Sequence, residues 1–125
     1  MKRYILFLLC AITAHQIFGQ DLSGAKICIN PGHGGHDADD RYIPETGFWE
    51  SESNLTKGLH LRDLLTNMEA EVVMTRTTNT SEDDLPLSVI TEIANTNNVD
   101  YFHSIHSNAY DGKTNYPLLL FRGYD

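Results

Sequence analysis

The chain has 125 residues, which is room for at most one domain. Its 41% hydrophobic and 21% charged residues are an ordinary globular mixture rather than a disordered one. A formal net charge of −8 argues against nucleic acid or an anionic membrane surface as partner, since both would repel it.

Residues 1–20 read as a secretory signal peptide. Lys2 and Arg3 precede the apolar run Tyr4–Ile12, and the small Gly19 follows a polar stretch. The run is too short for a permanent bilayer span, so no membrane span is expected once the signal is removed; an uncleaved amino-terminal anchor is the alternative. Cys10 follows the bulky Leu9, which does not suit a lipoprotein anchor. Removing the signal leaves Cys28 as the sole cysteine, so no intramolecular disulfide is expected. Export without disulfides suits the bacterial cell envelope, periplasmic or extracellular.

In chain order, Lys26–Ile29 is an apolar, β-branched run that stops at Pro31 and enters the loop Gly32-His33-Gly34-Gly35-His36-Asp37. That is a buried strand running into a tight turn, with glycines that let a metal or substrate approach the backbone. Asp37 to Phe48 reads as irregular, with Pro44 and Gly47 as breakers. Ser53 to about Met68 reads as a helix: Leu55, Leu59, Leu61, Leu64, Leu65 and Met68 recur at three- and four-residue spacings. Ser51 or Ser53 is its expected cap, and Gly58 weakens it slightly. Glu71–Thr75 is a second strand, Ser81–Pro86 an acidic loop, and Leu87–Asn95 a second helix with Ile90, Ile93 and Ala94 on its apolar side. Tyr101–His106 is a third strand, and Pro117–Arg122 a fourth.

Strand, helix, strand, helix, strand is the pattern of an α/β domain with a mainly parallel twisted sheet and flanking helices. It puts His33 and His106 at carboxyl ends of strands, on one edge of the sheet, where ligands bind in such folds. Two imidazoles and a carboxylate are a common zinc set, and Glu50 stands at the start of the intervening helix. A mixed nitrogen and oxygen set suits Zn²⁺ better than Mg²⁺ or Ca²⁺. Read singly, each residue also has a plain explanation: a turn histidine, an acid at a helix start, a strand histidine.

The ordered set Asn30-Pro31-Gly32-His33-Gly34-Gly35, Glu50 with Asn54-Leu55, Thr75-Arg76, Ala94-Asn95 and Ser104-Ile105-His106-Ser107-Asn108 resembles the zinc-dependent N-acetylmuramoyl-L-alanine amidases of bacterial cell-wall turnover. The resemblance runs from about Lys26 to Asp125. It implies zinc ligands at His33, Glu50 and His106, peptidoglycan as substrate, and hydrolysis of the amide joining N-acetylmuramic acid to L-alanine. Glu50 matches the family ligand because it stands five residues before Leu55; Glu52 then begins the helix. His103 is sent by strand alternation to the face opposite His106. His60 lies within the helix, and His36 is a candidate for touching substrate. Arg76 either anchors its loop through a carboxylate or is solvated.

The chain departs from the family pattern in three places. Asn30 stands where an Asp is usual, removing a charge that could orient a histidine ligand, although an amide still accepts a hydrogen bond. Ile90 stands where an Arg is common. The family's general-base glutamate lies in a later strand motif, beyond Asp125, so no catalytic residue is assigned. The expected organisation is therefore a signal peptide over 1–20 and the amino-terminal portion of an amidase catalytic domain over 21–125, with the carboxyl-terminal part of the domain missing. A non-catalytic zinc-containing peptidoglycan-binding module, or an inactive fragment, is the competing expectation.

Overall fold

The computed structural model describes residues 21–37, 42–107 and 118–120. The signal peptide expected over 1–20 lies outside them. Three strands, β1 (Lys26–Pro31), β4 (Glu71–Met74) and β5 (Tyr101–Ile105), make a parallel sheet in the order β4-β1-β5. Two helices, α1 (Glu50–Asn67) and α2 (Leu87–Thr96), connect them as the sequence pattern predicts. No helix among the described residues is long and apolar enough to cross a membrane.

β1 is central, with a strand hydrogen-bonded on each side, and its last four residues are buried. That placement explains why it reads as an unbroken apolar run rather than an alternating one. Cys28 pairs in register with Val73 on one side and Phe102 on the other. Pro31 ends the strand opposite Ile105 on β5, past the last β4 pairing at Ile29 and Met74, so its missing N–H breaks no ladder on that side. Cys28, Ile29, Ala70, Ile90 and Ala94 form the apolar core.

The segment expected to be irregular contains an antiparallel hairpin, β2 (Tyr42–Ile43) with β3 (Phe48–Trp49). Two-residue strands are too short to leave a periodic signal. β3 runs directly into α1, so the helix begins at Glu50, three residues earlier than expected. Trp49 takes the N-cap position without a side-chain cap bond, and neither Ser51 nor Ser53 caps the helix. The Ser51 hydroxyl instead donates to the Gly35 carbonyl at 2.7 Å.

The leucine spacing also misidentifies which face of α1 is most buried. Ser51, Asn54 and Gly58 are its buried residues, whereas Leu64 is 62% exposed. The glycine has a packing reason, since a Cβ at position 58 would lie 2.7 Å from the Pro31 ring. α2 follows expectation more closely, burying Ile90 and Ala94. A short 3-10 turn over Ser81–Asp83 organises the acidic loop. Of the expected fourth strand, Leu118–Leu120 are described; they are exposed and form no strand, and the remainder lies outside the described residues.

Candidate metal centre

The parallel register sets the site. Pro31 stands beside Ile105, and the Gly32 N–H donates to the Ile105 carbonyl at 2.9 Å, so the residues just after β1 and β5 emerge together. His33 is two positions beyond β1, with φ +64°. His106 is one position beyond β5, and Glu50 is the first residue of α1. Left-handed backbone is uncommon for a residue with a Cβ and is held only where its surroundings over-determine it. Gly32 leaves the His106 imidazole its place: a Cβ there would collide with the ring and force it to move.

His33 Nε2, Glu50 Oε1 and His106 Nδ1 form a nearly equilateral triangle. The edges are 3.1 Å between the two nitrogens, 3.3 Å from His106 to Glu50 and 3.5 Å from His33 to Glu50. The rings meet edge to face, at 86°. A tetrahedral ion with bonds of about 2.0–2.1 Å has ligand-to-ligand edges of about 3.3–3.4 Å, so the triangle is the right size for one. Hydrogen bonds alone do not explain it. Each ring nitrogen carries at most one proton, and in such a triangle a proton aimed at one corner points about 60° away from the other, well outside a useful angle. The donor set and spacing therefore fit a divalent cation.

The environment keeps Glu50 ionised. Burial pushes its carboxyl up, but hydrogen bonds from His106, the Ser107 N–H and the Asn54 amide, together with the charge of His33, hold it down at about 2. The Ser107 N–H donates to Oε1 at 2.7 Å and Asn54 Nδ2 donates to it at 3.2 Å. The three side chains are unequally exposed, at 13% for Glu50, 22% for His33 and 49% for His106.

Around the cluster lies a buried polar scaffold. Asn54 Nδ2 also donates to the Gly32 carbonyl at 3.2 Å. Arg76 is 5% exposed, and its guanidinium donates to the carbonyls of Pro31, Gly32, Ser51 and Thr78. Carboxylate anchoring and solvation are the two expectations from sequence, and among the described residues neither is found; Arg76 instead ties β1, the glycine loop and α1 into one unit. Asp83 and Asp84 supply compensating charge, while burial pulls the guanidinium down. Asn30 does not orient a histidine. Its Oδ1 accepts from Thr75 Oγ1 and its Nδ2 donates to Ser104 Oγ, both at 2.8 Å, so it stitches the residue just past β4 to β5 through β1.

The remaining candidates sit elsewhere. Glu52 is outside the cluster, its carboxylate 2.9 Å from His36 Nε2. The His36 ring stacks on Trp49 at 4.4 Å. His60 is exposed on α1, and His103 is exposed on β5 opposite Ile29. Asp84 Oδ1 stands 3.9 Å from His33 Nδ1, the ring nitrogen not facing the cluster. Sequence reasoning did not single out Ser51 as a loop-holding residue, or Asn30 as a bridge between strands. The available signal was the row Ser51, Asn54, Gly58, small and polar residues at helical spacing on the side facing the glycine loop.

Comparison with known proteins bears on the family and the fold. The chain is 39% identical over 98 residues to the N-acetylmuramoyl-L-alanine amidase CwlM of Bacillus licheniformis, covering 78% of this chain and 37% of that protein. Among solved structures it is similar to the amidase AmiC2 of Nostoc punctiforme, with TM-score 0.62 and 30% identity over 73% of this chain and 48% of that one. It is likewise similar to the catalytic domain of CwlV from Bacillus (Paenibacillus) polymyxa, with TM-score 0.62 and 27% identity over 72% and 49%. The chain thus spans about half the length of these solved relatives and 37% of the curated one. Residues 27–119 match the family described as N-acetylmuramoyl-L-alanine amidase, and the chain belongs to that family.

Proposed function

We propose that His33, Glu50 and His106 hold a zinc ion, and that this site serves hydrolysis of the amide between N-acetylmuramic acid and L-alanine in peptidoglycan. The observation that carries the reading is the 3.1, 3.3 and 3.5 Å triangle of two imidazole nitrogens and one carboxylate oxygen. When bound, zinc with three protein ligands and an open position supplies Lewis acidity toward a carbonyl and lowers the pKa of water toward about 7.

The chain's own residues prepare that site. Glu50 stays anionic because the Ser107 N–H and the Asn54 amide donate to it. The same Asn54 amide and the Arg76 guanidinium hold the Gly32 carbonyl, which fixes the backbone from which His33 projects. Glu50 is committed to these contacts, so it does not double as the base that relays a proton to the leaving amine, and that role is left unassigned. The basic and apolar start of the chain fits export to the cell envelope, where peptidoglycan is found. An envelope fraction yielding protein that still begins at Met1 would overturn the cleaved-signal part of the reading.

Zinc content and product release test the site. Purified protein should carry one zinc per chain. Replacing His33, Glu50 or His106 by alanine should strip it, whereas Glu52→Ala should keep it; full occupancy in Glu50→Ala would sink the ligand assignment. Incubation with sacculi should expose new L-alanine amino termini. Zinc-loaded protein that binds sacculi and releases none identifies a wall-binding module instead, as the commitment of Glu50 to structural contacts would allow.

A further inference from the structure

The His33 ring has a charged neighbour on each side. Nε2 faces Glu50 at 3.5 Å and His106 at 3.1 Å, whereas Nδ1 faces Asp84, whose Oδ1 stands 3.9 Å away. The fold of the acidic turn puts that carboxylate there. Asp83 closes a capping box with Thr80, and the Asp84 N–H donates to the Ser81 carbonyl at 3.2 Å. Gly34, the residue after His33, lies against the same turn, and a Cβ on it would collide with the backbone of Asp83 and Asp84. The other polar side chains that could orient the ring are engaged elsewhere: Asn30 with Thr75 and Ser104, Glu52 with His36, and Asp83 with Thr78 and Thr80. His33 also leaves the chain from left-handed backbone, at φ +64°, which is held only with support from its surroundings.

We propose that Asp84 is a positioning residue of the metal centre: its carboxylate accepts the His33 Nδ1–H and keeps the Nε2 lone pair turned toward Glu50 and His106. The inference rests on the zinc reading above and deepens it by naming what orients one ligand. A neutral imidazole that coordinates through Nε2 carries its proton on Nδ1. An acceptor for that proton fixes the tautomer and the ring direction and makes the ligating nitrogen more basic. A charge-assisted bond of this kind measures about 2.7–2.9 Å, so the pair has about 1 Å to close. The Asp84 side chain is 42% exposed rather than locked in the core, so a side-chain rotation can close it. Coordination at Nε2 polarises Nδ1–H and favours that closure. Asp84 also steadies the Arg76 charge, but Asp83 contributes more there, so the two aspartates can be told apart.

The test follows the His33 Nδ1–H by NMR in the zinc-loaded full chain with isotope-labelled histidine, beside zinc affinity measured in competition with a chelator. The wild-type proton should be slow to exchange and shifted downfield, and its signal is identified by its absence from His33→Ala. Asp84→Asn keeps the shape and an acceptor oxygen but removes the charge; it should move the signal upfield and weaken zinc binding about tenfold. Asp84→Ala should broaden the signal by exchange with water and weaken binding by up to about 100-fold. Asp83→Asn removes the larger of the two contributions to Arg76 and should leave signal and affinity nearly as in wild type. An unchanged signal in Asp84→Ala overturns the proposal. So does a loss of zinc affinity no larger than that of Asp83→Asn, which would make Asp84 a support of the turn alone. Wild-type protein that takes up no zinc is a different result: it overturns the zinc reading itself, and this inference with it.

Discussion

The two sides of β1 are built differently, although both are parallel ladders. On the β4 side, Asn30, Thr75, Arg76, Ser51 and Asn54 are buried and joined by hydrogen bonds through loop and helix. On the β5 side, Tyr101 is 67% and Phe102 46% exposed, and His106 is the most exposed member of the cluster. The candidate metal centre spans this divide. It takes His33 and Glu50 from the braced side and His106 from the open one. A bound ion would therefore join the two sides as well as do chemistry, and each half of the site can be broken separately.

The largest effect belongs to the braced side. Arg76→Ala removes a buried donor from four carbonyls, three of them beside the glycine loop and the start of α1, of which Gly32 keeps the Asn54 amide. The expected loss is about 3–5 kcal/mol, comparable to the whole stability of a small domain. It should appear as loss of a cooperative urea transition in metal-free protein. Arg76→Lys should recover less than half, because an ammonium cannot serve carbonyls in three directions at fork geometry. Wild-type behaviour in either variant would show that the braced side does not depend on this residue.

Next comes a change aimed at the junction with the open side. Gly32→Ala drives a methyl into the His106 ring while the Arg76 contacts stay available. Zinc affinity should fall by about 100-fold or more, as expected when an arranged ligand is displaced, with a much smaller shift in the urea midpoint of the metal-free protein. If both quantities fall together, the two sides are not separable and the comparison fails.

Gly58→Ala separates intrinsic preference from packing. Helix propensity alone predicts a gain of about 1 kcal/mol. The new Cβ would lie 2.7 Å from the rigid Pro31 ring, however, and overpacking of that kind costs about 1–3 kcal/mol. A net loss is expected in urea unfolding; a gain would show that α1 can shift away from β1 without penalty.

These positions also show what was readable beforehand. Lys26–Ile29 declared a buried strand because a central parallel strand needs apolar residues on both faces, and the βαβ order then placed His33 and His106 on one edge. Glu50 was legible as a carboxylate at a helix start. The early beginning of α1 was not, because a two-residue strand has no period and the expected serine caps are used elsewhere. Arg76 was misread because an arginine's partners are normally sought among carboxylates, whereas here they are carbonyls brought together only by the tertiary fold. The leucines of α1 were overweighted for a related reason. A helix packed against a glycine loop buries small and polar residues, so its apolar stripe does not mark its closest contact.

The smallest expected effect lies in the acidic loop. The Asp83 carboxylate accepts from the Thr80 N–H at 2.7 Å, from the Thr78 hydroxyl at 2.8 Å and from the Thr80 hydroxyl at 3.1 Å. Slight burial pushes its carboxyl up, but these bonds and the nearby Arg76 charge outweigh that and hold it below the ordinary 3.8. A lowered folded value means that the contribution is fully present above about pH 4 and is lost as pH falls through the folded value. The residue is half-buried in a surface turn, so solvent screening still limits the gain to below about 1 kcal/mol. Asp83→Asn should therefore speed amide exchange at Thr80 and Asp83 at neutral pH and make little difference in acid, where the native side chain is itself protonated. Gly34 packs against the backbone of Asp83 and Asp84, so the glycine loop should loosen with the turn, though far less than in Arg76→Ala. Equal exchange at Gly34 in wild type and Asp83→Asn at neutral pH would show that the turn's carboxylate stabilises only itself.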